Sequence, residues 1–323
     1  MNYYLYKLRF TTPLHIGNSD SARSGETATE TICADTLFSA LCHASLQCYA
    51  QEGLNKLVAL FQSSDLRLSD AFPYDKESLY IPKPYLKINS KTPISDYKML
   101  KQIKNMKYIR IDQLAPFVSG FLVSSENGLP MKNRSFTKSS STTRVSMREE
   151  QSFPYQIHAV HFEPGCGLYG IIQYSEEAHI HWLKPILETL GLSGIGGKTS
   201  SGYGKYILED SLFLDTPIDE QTTLLTELLH HKQANRYISL TTALPKDNEL
   251  EDALTNASYG MKRRGGFVFA PHTKKPLKKQ TQYFFSSGSV FHTPFDGDLW
   301  TVAETENHPV YRYGKPIFMG VNL

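Results

Sequence analysis

The chain has 323 residues, 40 % of them hydrophobic, and a formal net charge of +2. At about 100–200 residues per domain this length fits two domains, and a near-neutral total says little about partners until the charge is located along the chain. No run of about 18 uncharged apolar residues occurs, which excludes a membrane-spanning helix.

Residues 3–10 alternate, with Tyr4, Tyr6, Leu8 and Phe10 on one face of a strand. The same alternation leaves no apolar centre of the kind a signal peptide needs. Residues 13–30 are small and polar and read as a loop. A helix is predicted from about Asp35 to Tyr49, with Leu37, Leu41, Ala44 and Cys48 at helical spacing and Asp35 as its N-cap. Residues 84–150 are rich in basic side chains, poor in acids and carry a Ser/Thr run at 139–143, so they read as an insertion with a mobile tip. Strand-like runs return at 153–160 and 167–174 around a Pro164-Gly165 turn. A helix follows over about 176–190 with Pro185 inside it, then a glycine-rich loop and a strand over 203–209.

With a further strand near 78–81, this order approaches the split βαβ, ferredoxin-like pattern. Residues 215–234 read as a linker. A strand at 237–242, a helix at 249–256 and strands near 259–270, 282–285, 299–303 and 317–321 then restart a degenerate copy. The expected fold class is α+β, with two ferredoxin-like (RRM-like) domains at 1–214 and 235–323 and a basic insertion at about 84–150 in the first. High aromatic content, 19 Tyr and 17 Phe, agrees with a β-rich structure. Cys33, Cys42, Cys48 and Cys166 form no C-x-x-C pair, so they read as free thiols in a reducing cytoplasm.

Six glycines fall within 191–204: Gly191, Gly194, Gly196, Gly197, Gly202 and Gly204, with Lys198, Thr199, Ser200, Ser201 and Tyr203 among them. Glycine permits positive φ and close backbone approach, and successive free N–H groups can cradle an anion. A lysine and hydroxyls add phosphate contacts, and a tyrosine can stack on a base. Gly197-Lys198-Thr199 looks like the end of a phosphate-binding P-loop, but that motif needs a glycine where Leu192 stands. It also leads from a strand into a helix, whereas this loop leads from a helix into a strand. The dinucleotide fingerprint fails at Thr199. A packing turn and an RNA cradle both remain open on these residues alone.

Several segments together resemble a known family. They are Thr12-Pro13-Leu14-His15-Ile16-Gly17, Ala34-Asp35-Thr36-Leu37-Phe38-Ser39-Ala40-Leu41, Thr143-Arg144-Val145 and the run from Gly194 to Gly204. In this order they resemble the RAMP superfamily of CRISPR systems. Ser287-Gly288-Ser289-Val290-Phe291 and His308-Pro309-Val310-Tyr311-Arg312-Tyr313-Gly314 are similar to the fourth subunit of type III-A (Csm) effector complexes. The resemblance implies a non-catalytic subunit for antiviral defence that holds the 5′ handle of the CRISPR RNA and docks the large polymerase-like subunit beside a backbone RAMP subunit. It also implies a β-hairpin thumb near the target RNA. By position, Gly194–Gly204 would hold the handle, and residues near 116–150, with Lys132, Arg134, Lys138 and Arg144, would form the thumb and its base. No catalytic residue, metal or cofactor is expected.

Other residues offer further readings. Some members of the superfamily cleave precursor RNA with a histidine, and His15 is the candidate here, read as an RNA contact first and as the base of a metal-independent endoribonuclease second. A third reading is a scaffold that touches only protein. Asp20, Glu26, Glu30 and Asp35 could support metal-dependent cleavage as in the backbone subunit, although Asp35 is already assigned to capping. Lys262, Arg263 and Arg264, then Lys274, Lys275, Lys278 and Lys279, form one basic cluster, and Lys83 to Arg110 holds another. Arg263 and Arg264 are taken as RNA contacts, interleaved with Tyr259, Phe267 and Phe269. His158, His161, His179 and His181 lack zinc-site spacing.

Overall fold

The structure is a computed structural model that describes residues 1–17, 28–88, 91, 97–121, 135–148, 151–268, 277–305 and 308–323. The first strand, β1 (Asn2–Phe10), has its alternate residues on opposite faces, as its sequence predicts. Tyr4, Tyr6 and Leu8 enter one hydrophobic core, and Tyr3 and Leu5 enter another on the reverse side. The helix α1 (Ala34–Gln62) is longer than predicted, because the helical path breaks at Tyr49–Ala50 and resumes. Asp35 is not its N-cap. Cys33 holds that position, and the free N–H of Ala34 donates instead to the buried Asp70 at 2.8 Å.

Short strands β2 (Leu66–Leu68), β3 (Phe72–Asp75) and β4 (Ser78–Pro82) come next. Part of the region expected as an insertion is built into the sheet edge. It contains α2 (Tyr97–Asn105), then β5 (Tyr108–Arg110), which pairs with β4, and α3 (Leu114–Val118). The Ser/Thr run lies within β6 (Thr137–Arg148), paired along its whole length with β7 (Gln151–Phe162), while residues 122–134 of the segment expected to carry a mobile tip lie outside the described residues. The β-branched threonines suit a strand, and a two-stranded ribbon with both faces partly in water tolerates the hydroxyls. At its base Ile157, Ala159 and Val160 are buried, and Val160 bridges Leu14.

The unit closes with β8 (Cys166–Tyr174), α4 (Glu177–Ser193), which continues through Pro185, and β9 (Tyr206–Phe213). The sheet order is β5-β4-β3-β8-β1-β9, with β2 also on β8, and every pairing is antiparallel. The β9-β1-β8-β3 portion has the strand order of a βαββαβ unit. Helices α1 and α4 pack on the face that carries Tyr4, Tyr6 and Leu8.

The remainder comprises α5 (Glu220–His230), β10 (Arg236–Ser239), α6 (Leu250–Leu254), β11 (Met261–Arg264), β12 (Gln282–Phe285), β13 (Val290–Phe291), β14 (Leu299–Glu304), β15 (Pro309–Tyr313) and β16 (Phe318–Val321). β10 lies between β13 and β16, antiparallel to both, as β1 lies between β8 and β9. The second face of the first sheet is covered by this half. Tyr3, Leu5, Tyr169 and Ile171 share a core with Leu225, Leu229, Ile238, Ile317 and Met319. The β14–β15 hairpin reaches back in turn, sending Leu299 and Tyr313 into the core under α1 and α4.

Candidate nucleic-acid interface

The glycine loop begins where α4 ends. Gly194 caps the helix, its N–H bonded to Leu190 O at 2.8 Å, and has φ +87°. The loop then folds onto the segment after β1. Gly197 N–H donates to His15 O at 2.8 Å, Gly204 N–H to Pro13 O at 2.8 Å, and Ile195 N–H to Gly204 O at 2.9 Å. There is no room for side chains at these points. A Cβ on Gly204 would lie 1.9 Å from Ile195 O, and one on Gly196 would lie 2.6 Å from His15 O. A Cβ on Gly197 would meet the His15 ring at 2.7 Å, one on Gly194 would meet Tyr203 O at 2.5 Å, and one on Gly191 would meet Tyr206 O at 2.5 Å. Gly202 differs: nothing lies within 4 Å of its Cβ direction, and only its φ of +84° requires glycine.

Between Lys198, in the left-handed conformation, and Gly202 runs a single 3-10 turn, Thr199–Ser201. The N–H groups of Ser201, Gly202 and Tyr203 are bonded within the turn. Those of Lys198, Thr199 and Ser200 have no acceptor among the described residues. The β6–β7 hairpin stands over this turn. Arg144 donates to Ser201 Oγ at 3.1 Å, and its guanidinium lies 5.8 Å from the Tyr203 ring centroid. Lys198 Nζ lies 4.9 Å from the Tyr155 ring centroid and donates to the Tyr155 hydroxyl at 3.4 Å. Two cations and two tyrosines thus meet where loop and hairpin touch.

Of the residues expected at the site, Gly194, Gly196, Gly197, Lys198, Thr199, Ser200, Ser201, Tyr203, Arg144 and His15 come together around this junction. Lys132 and Arg134 lie outside the described residues. Lys138, further down β6, pairs with Glu163 at 2.9 Å. His15 is buried beneath the loop, with Nδ1 2.5 Å from the carbonyl oxygen of His158 and the ring against Gly197. A ring nitrogen facing a carbonyl must carry the proton, so His15 donates through Nδ1 and props the loop from below.

The C-terminal basic cluster is partly a structural ion network, which corrects the reading of Arg264 as an RNA contact. Arg264 makes a two-pronged pair with Asp35, Nε to Oδ2 at 2.8 Å and Nη2 to Oδ1 at 2.7 Å, and both partners are mostly buried. Arg312 lies 3.9 Å from the same carboxylate. Lys262 Nζ is 3.2 Å from Cys33 Sγ. Arg263 points to the opposite, exposed face of β11. In the other basic region Lys83 Nζ donates to Ile103 O and Lys104 O, both at 2.8 Å, closing the end of α2, and Arg110 is paired with Asp112. Asp20, Glu26, Phe269, Lys274 and Lys275 lie outside the described residues, and Glu30 meets Lys107 at 3.7 Å. His161 contacts Ser140, and His181 contacts Glu177. All four cysteines are free, and burial pushes the Cys42 thiol up to about 12.

Tyr155 is the member of the site that the sequence reading missed. Its partner across the hairpin is Arg144, a register that joins two strands through a turn of undefined length in the sequence. Alternation over 151–160 was the available signal, and it places Tyr155 on a strand without saying what it faces.

Fold and junction together define a split βαβ protein that presents a basic, tyrosine-flanked glycine loop beneath a long hairpin. The RAMP superfamily matches residues 7–207, and the CRISPR Csm4 C-terminal domain matches residues 232–321. The CRISPR system Cms protein Csm4 of Mycobacterium tuberculosis is 32 % identical over 297 residues, covering 92 % of each chain. The Streptococcus thermophilus protein of the same name is 27 % identical over 332 aligned residues, covering 100 % of each chain. Among solved structures, a chain of a Csm3–Csm4 subcomplex in the type III-A CRISPR-Cas interference complex superposes with TM-score 0.66 at 16 % identity, covering 100 % of both chains. A chain of a Csm1–Csm4 cassette in complex with pppApA gives 0.60 at 18 % identity, covering 100 % of this chain and 99 % of the other. The chain belongs to the RAMP superfamily and, within it, to the Csm4 family.

Proposed function

We propose that this protein is a subunit of a type III-A CRISPR effector that holds the 5′ handle of the guide RNA in the Gly194–Gly204 loop and does not cut RNA. The observation that carries this reading is what packing leaves unexplained. Steric need accounts for Gly191, Gly194, Gly196, Gly197 and Gly204. It does not account for Lys198, Arg144, Tyr155 and Tyr203 gathered at one surface, nor for three successive N–H groups without an acceptor among the described residues. Such a combination suits the phosphates and bases of a single strand.

In this reading β6–β7 is the thumb that leans toward the target RNA, the chain forms two ferredoxin-like units, and the protein works in the cytoplasm. Its neighbours are a large polymerase-like subunit and a backbone subunit, supported by relatives solved as Csm1–Csm4 and Csm3–Csm4 assemblies. The burial of His15 and its bond to the His158 carbonyl favour a supporting role over acid–base chemistry.

The test is binding of single-stranded handle RNA to the full chain carrying Lys198→Ala and Arg144→Ala together. Affinity should fall, and the salt slope should shrink by about 0.7 for each phosphate contact removed. Unchanged affinity and slope in a folded double variant would refute the assignment. Incubation with repeat RNA in chelator should leave the RNA intact. Cleavage that disappears in His15→Ala would favour the endoribonuclease reading.

A further inference from the structure

At the end of β1 farthest from the glycine loop, a cleft of about 400 Å³ opens between the two halves of the chain. Its floor follows from strand register. Tyr3 of β1 stands opposite Gln173 of β8, and Gln173 stands opposite Arg67 of β2. Directly opposite residues share a face, so the three side chains form a row across the sheet. Two strand spacings make that row about 10 Å long. β1 runs on from Tyr3 to Phe10, a rise of roughly 23 Å, and the glycine loop lies beyond that end.

The polar groups around this floor are unequally spent. Lys232, just after α5, donates to the Tyr3 hydroxyl at 3.1 Å and to Leu229 O at 3.2 Å, and its ammonium lies 5.8 Å from the Tyr3 ring centroid. The Tyr237 hydroxyl holds the same residue by its backbone, donating to Lys232 O at 2.7 Å. The ammonium is thereby fixed in place, yet it keeps a third N–H and has no carboxylate partner among the described residues. Arg67, at the other end of the row, is neutralised by Asp296 at 2.9 Å. Its Nε–H is buried without an acceptor among the described residues. The side chains of Gln173, Asn248 and Asp252 line the same cleft, and none has a hydrogen-bond or ion-pair partner among the described residues. Phe295 and Phe318, with ring centroids 5.4 Å apart, supply an apolar wall, and Tyr237 lies 6.5 Å from Phe318.

We infer that this cleft binds a nucleoside monophosphate, with the phosphate on Lys232, the base against Phe295 and Phe318, and the sugar hydroxyls and base edge on Gln173, Asn248 and Asp252. A cleft between two halves of a chain, about 400 Å³ in volume and mixing an apolar wall with a few convergent polar groups, has the form of a small-molecule site. One fixed and unpaired ammonium calls for one anionic group, and a second such group would meet the Asp252 carboxylate. Inorganic phosphate would use Lys232 and leave the ring wall empty. A simple aromatic or aliphatic acid would use both and leave the two amides and Asp252 to water. A nucleoside monophosphate engages all three kinds of surface. The inference goes beyond the RNA-holding role of the loop and does not rest on it.

Calorimetric titration of the full-length protein with AMP, GMP, CMP and UMP, and separately with inorganic phosphate and with adenosine, tests this. At least one monophosphate should bind, one molecule per chain, and more tightly than either phosphate or adenosine. Lys232→Met should weaken that binding roughly 10- to 150-fold, the range for a hydrogen bond to a charged group, and Lys232→Arg should retain most of it. Gln173→Leu removes an amide that bonds nothing inside the protein, and should weaken binding roughly 2- to 10-fold with an unchanged thermal transition. Lys198→Ala with Arg144→Ala should leave the nucleotide affinity as in the parent. Loss of binding in that double variant would put the nucleotide in the glycine loop and overturn the cleft assignment. The inference is equally overturned if none of the monophosphates binds at about millimolar concentration, if inorganic phosphate binds as tightly as they do, or if Lys232→Met and Gln173→Leu both bind like the parent.

Discussion

Asp35 shows how one residue can be assigned the wrong partner by local sequence. A carboxylate at the start of a helix suits the free N–H groups there, yet the N–H of Ala34 at the start of α1 is met by Asp70, which also accepts from the N–H and hydroxyl of Thr242 at 2.9 and 2.6 Å. Asp35 is thereby released to pair with Arg264 and to face Arg312. Burial opposes its ionised form, but Arg264, then Arg312 and Lys262, hold its pKa below the ordinary carboxylate value. Asp35→Ala would leave two guanidinium groups without their anion and should cost about 3–5 kcal/mol by chemical denaturation. A depressed carboxylate contributes stability that is full above its unfolded pKa and lost as pH falls through the folded one. The parent should therefore lose stability more steeply below about pH 4 than Asp35→Asn, which has no proton to gain there. Equal acid slopes would show that Asp35 is not the group responsible.

The same scale explains why glycine spacing alone left the loop ambiguous. A glycine required by a neighbouring carbonyl and one required by a ligand look identical in sequence. The structure also alters what can be tested: bulky residues at Gly196 and Gly197 would strike His15 and disturb the loop itself, so Lys198 and Arg144 are the informative positions.

Among elements, α1 departs most from its predicted form. Its first stretch ends at Tyr49, where the apolar spacing fades, and the chain turns helical again after Ala50. Ala50 has φ 52° and ψ −151°, a combination that belongs essentially to glycine. The break lets Tyr49 stack on Trp182 of α4 with centroids 5.6 Å apart. Ala50→Gly should relieve the strain and raise stability by about 1 kcal/mol despite the added freedom of the unfolded chain, measurable as a higher denaturation midpoint. A lower midpoint would mean that the alanine methyl group contributes more than the strain costs. The β6–β7 hairpin failed to stand out for a different reason. Serine and threonine in a run read as loop chemistry, and only pairing with β7 along twelve residues makes the strand.

For the whole molecule, two hydrophobic cores each draw on both halves of the chain. The first sheet buries its second face against α5, β10 and β16, and the β14–β15 hairpin fills the core beneath α1. Unfolding should therefore be one cooperative event. The chain has two tryptophans, Trp182 on α4 and Trp300 on β14, so Trp182→Phe leaves a single reporter in the second half and Trp300→Phe a single reporter in the first. The two fluorescence transitions should coincide in denaturant, and separate midpoints would show halves that fold independently.

The sequence alone determined β1 and the shared face of Tyr4, Tyr6 and Leu8, the start of α1, and the place of the glycine loop between α4 and β9, whereas β2, β3 and β5 of the same unit were not legible in it. The legible features follow from local periodicity and from residues whose backbone preferences act over a few positions. Tertiary structure decided which cations are spent inside the protein and which face outward, which glycines serve packing, and which ring lies opposite Arg144. Each of those depends on groups brought together from distant parts of the chain, Arg264 to Asp35 and Lys198 to Tyr155 among them, and no local pattern encodes the register that joins them.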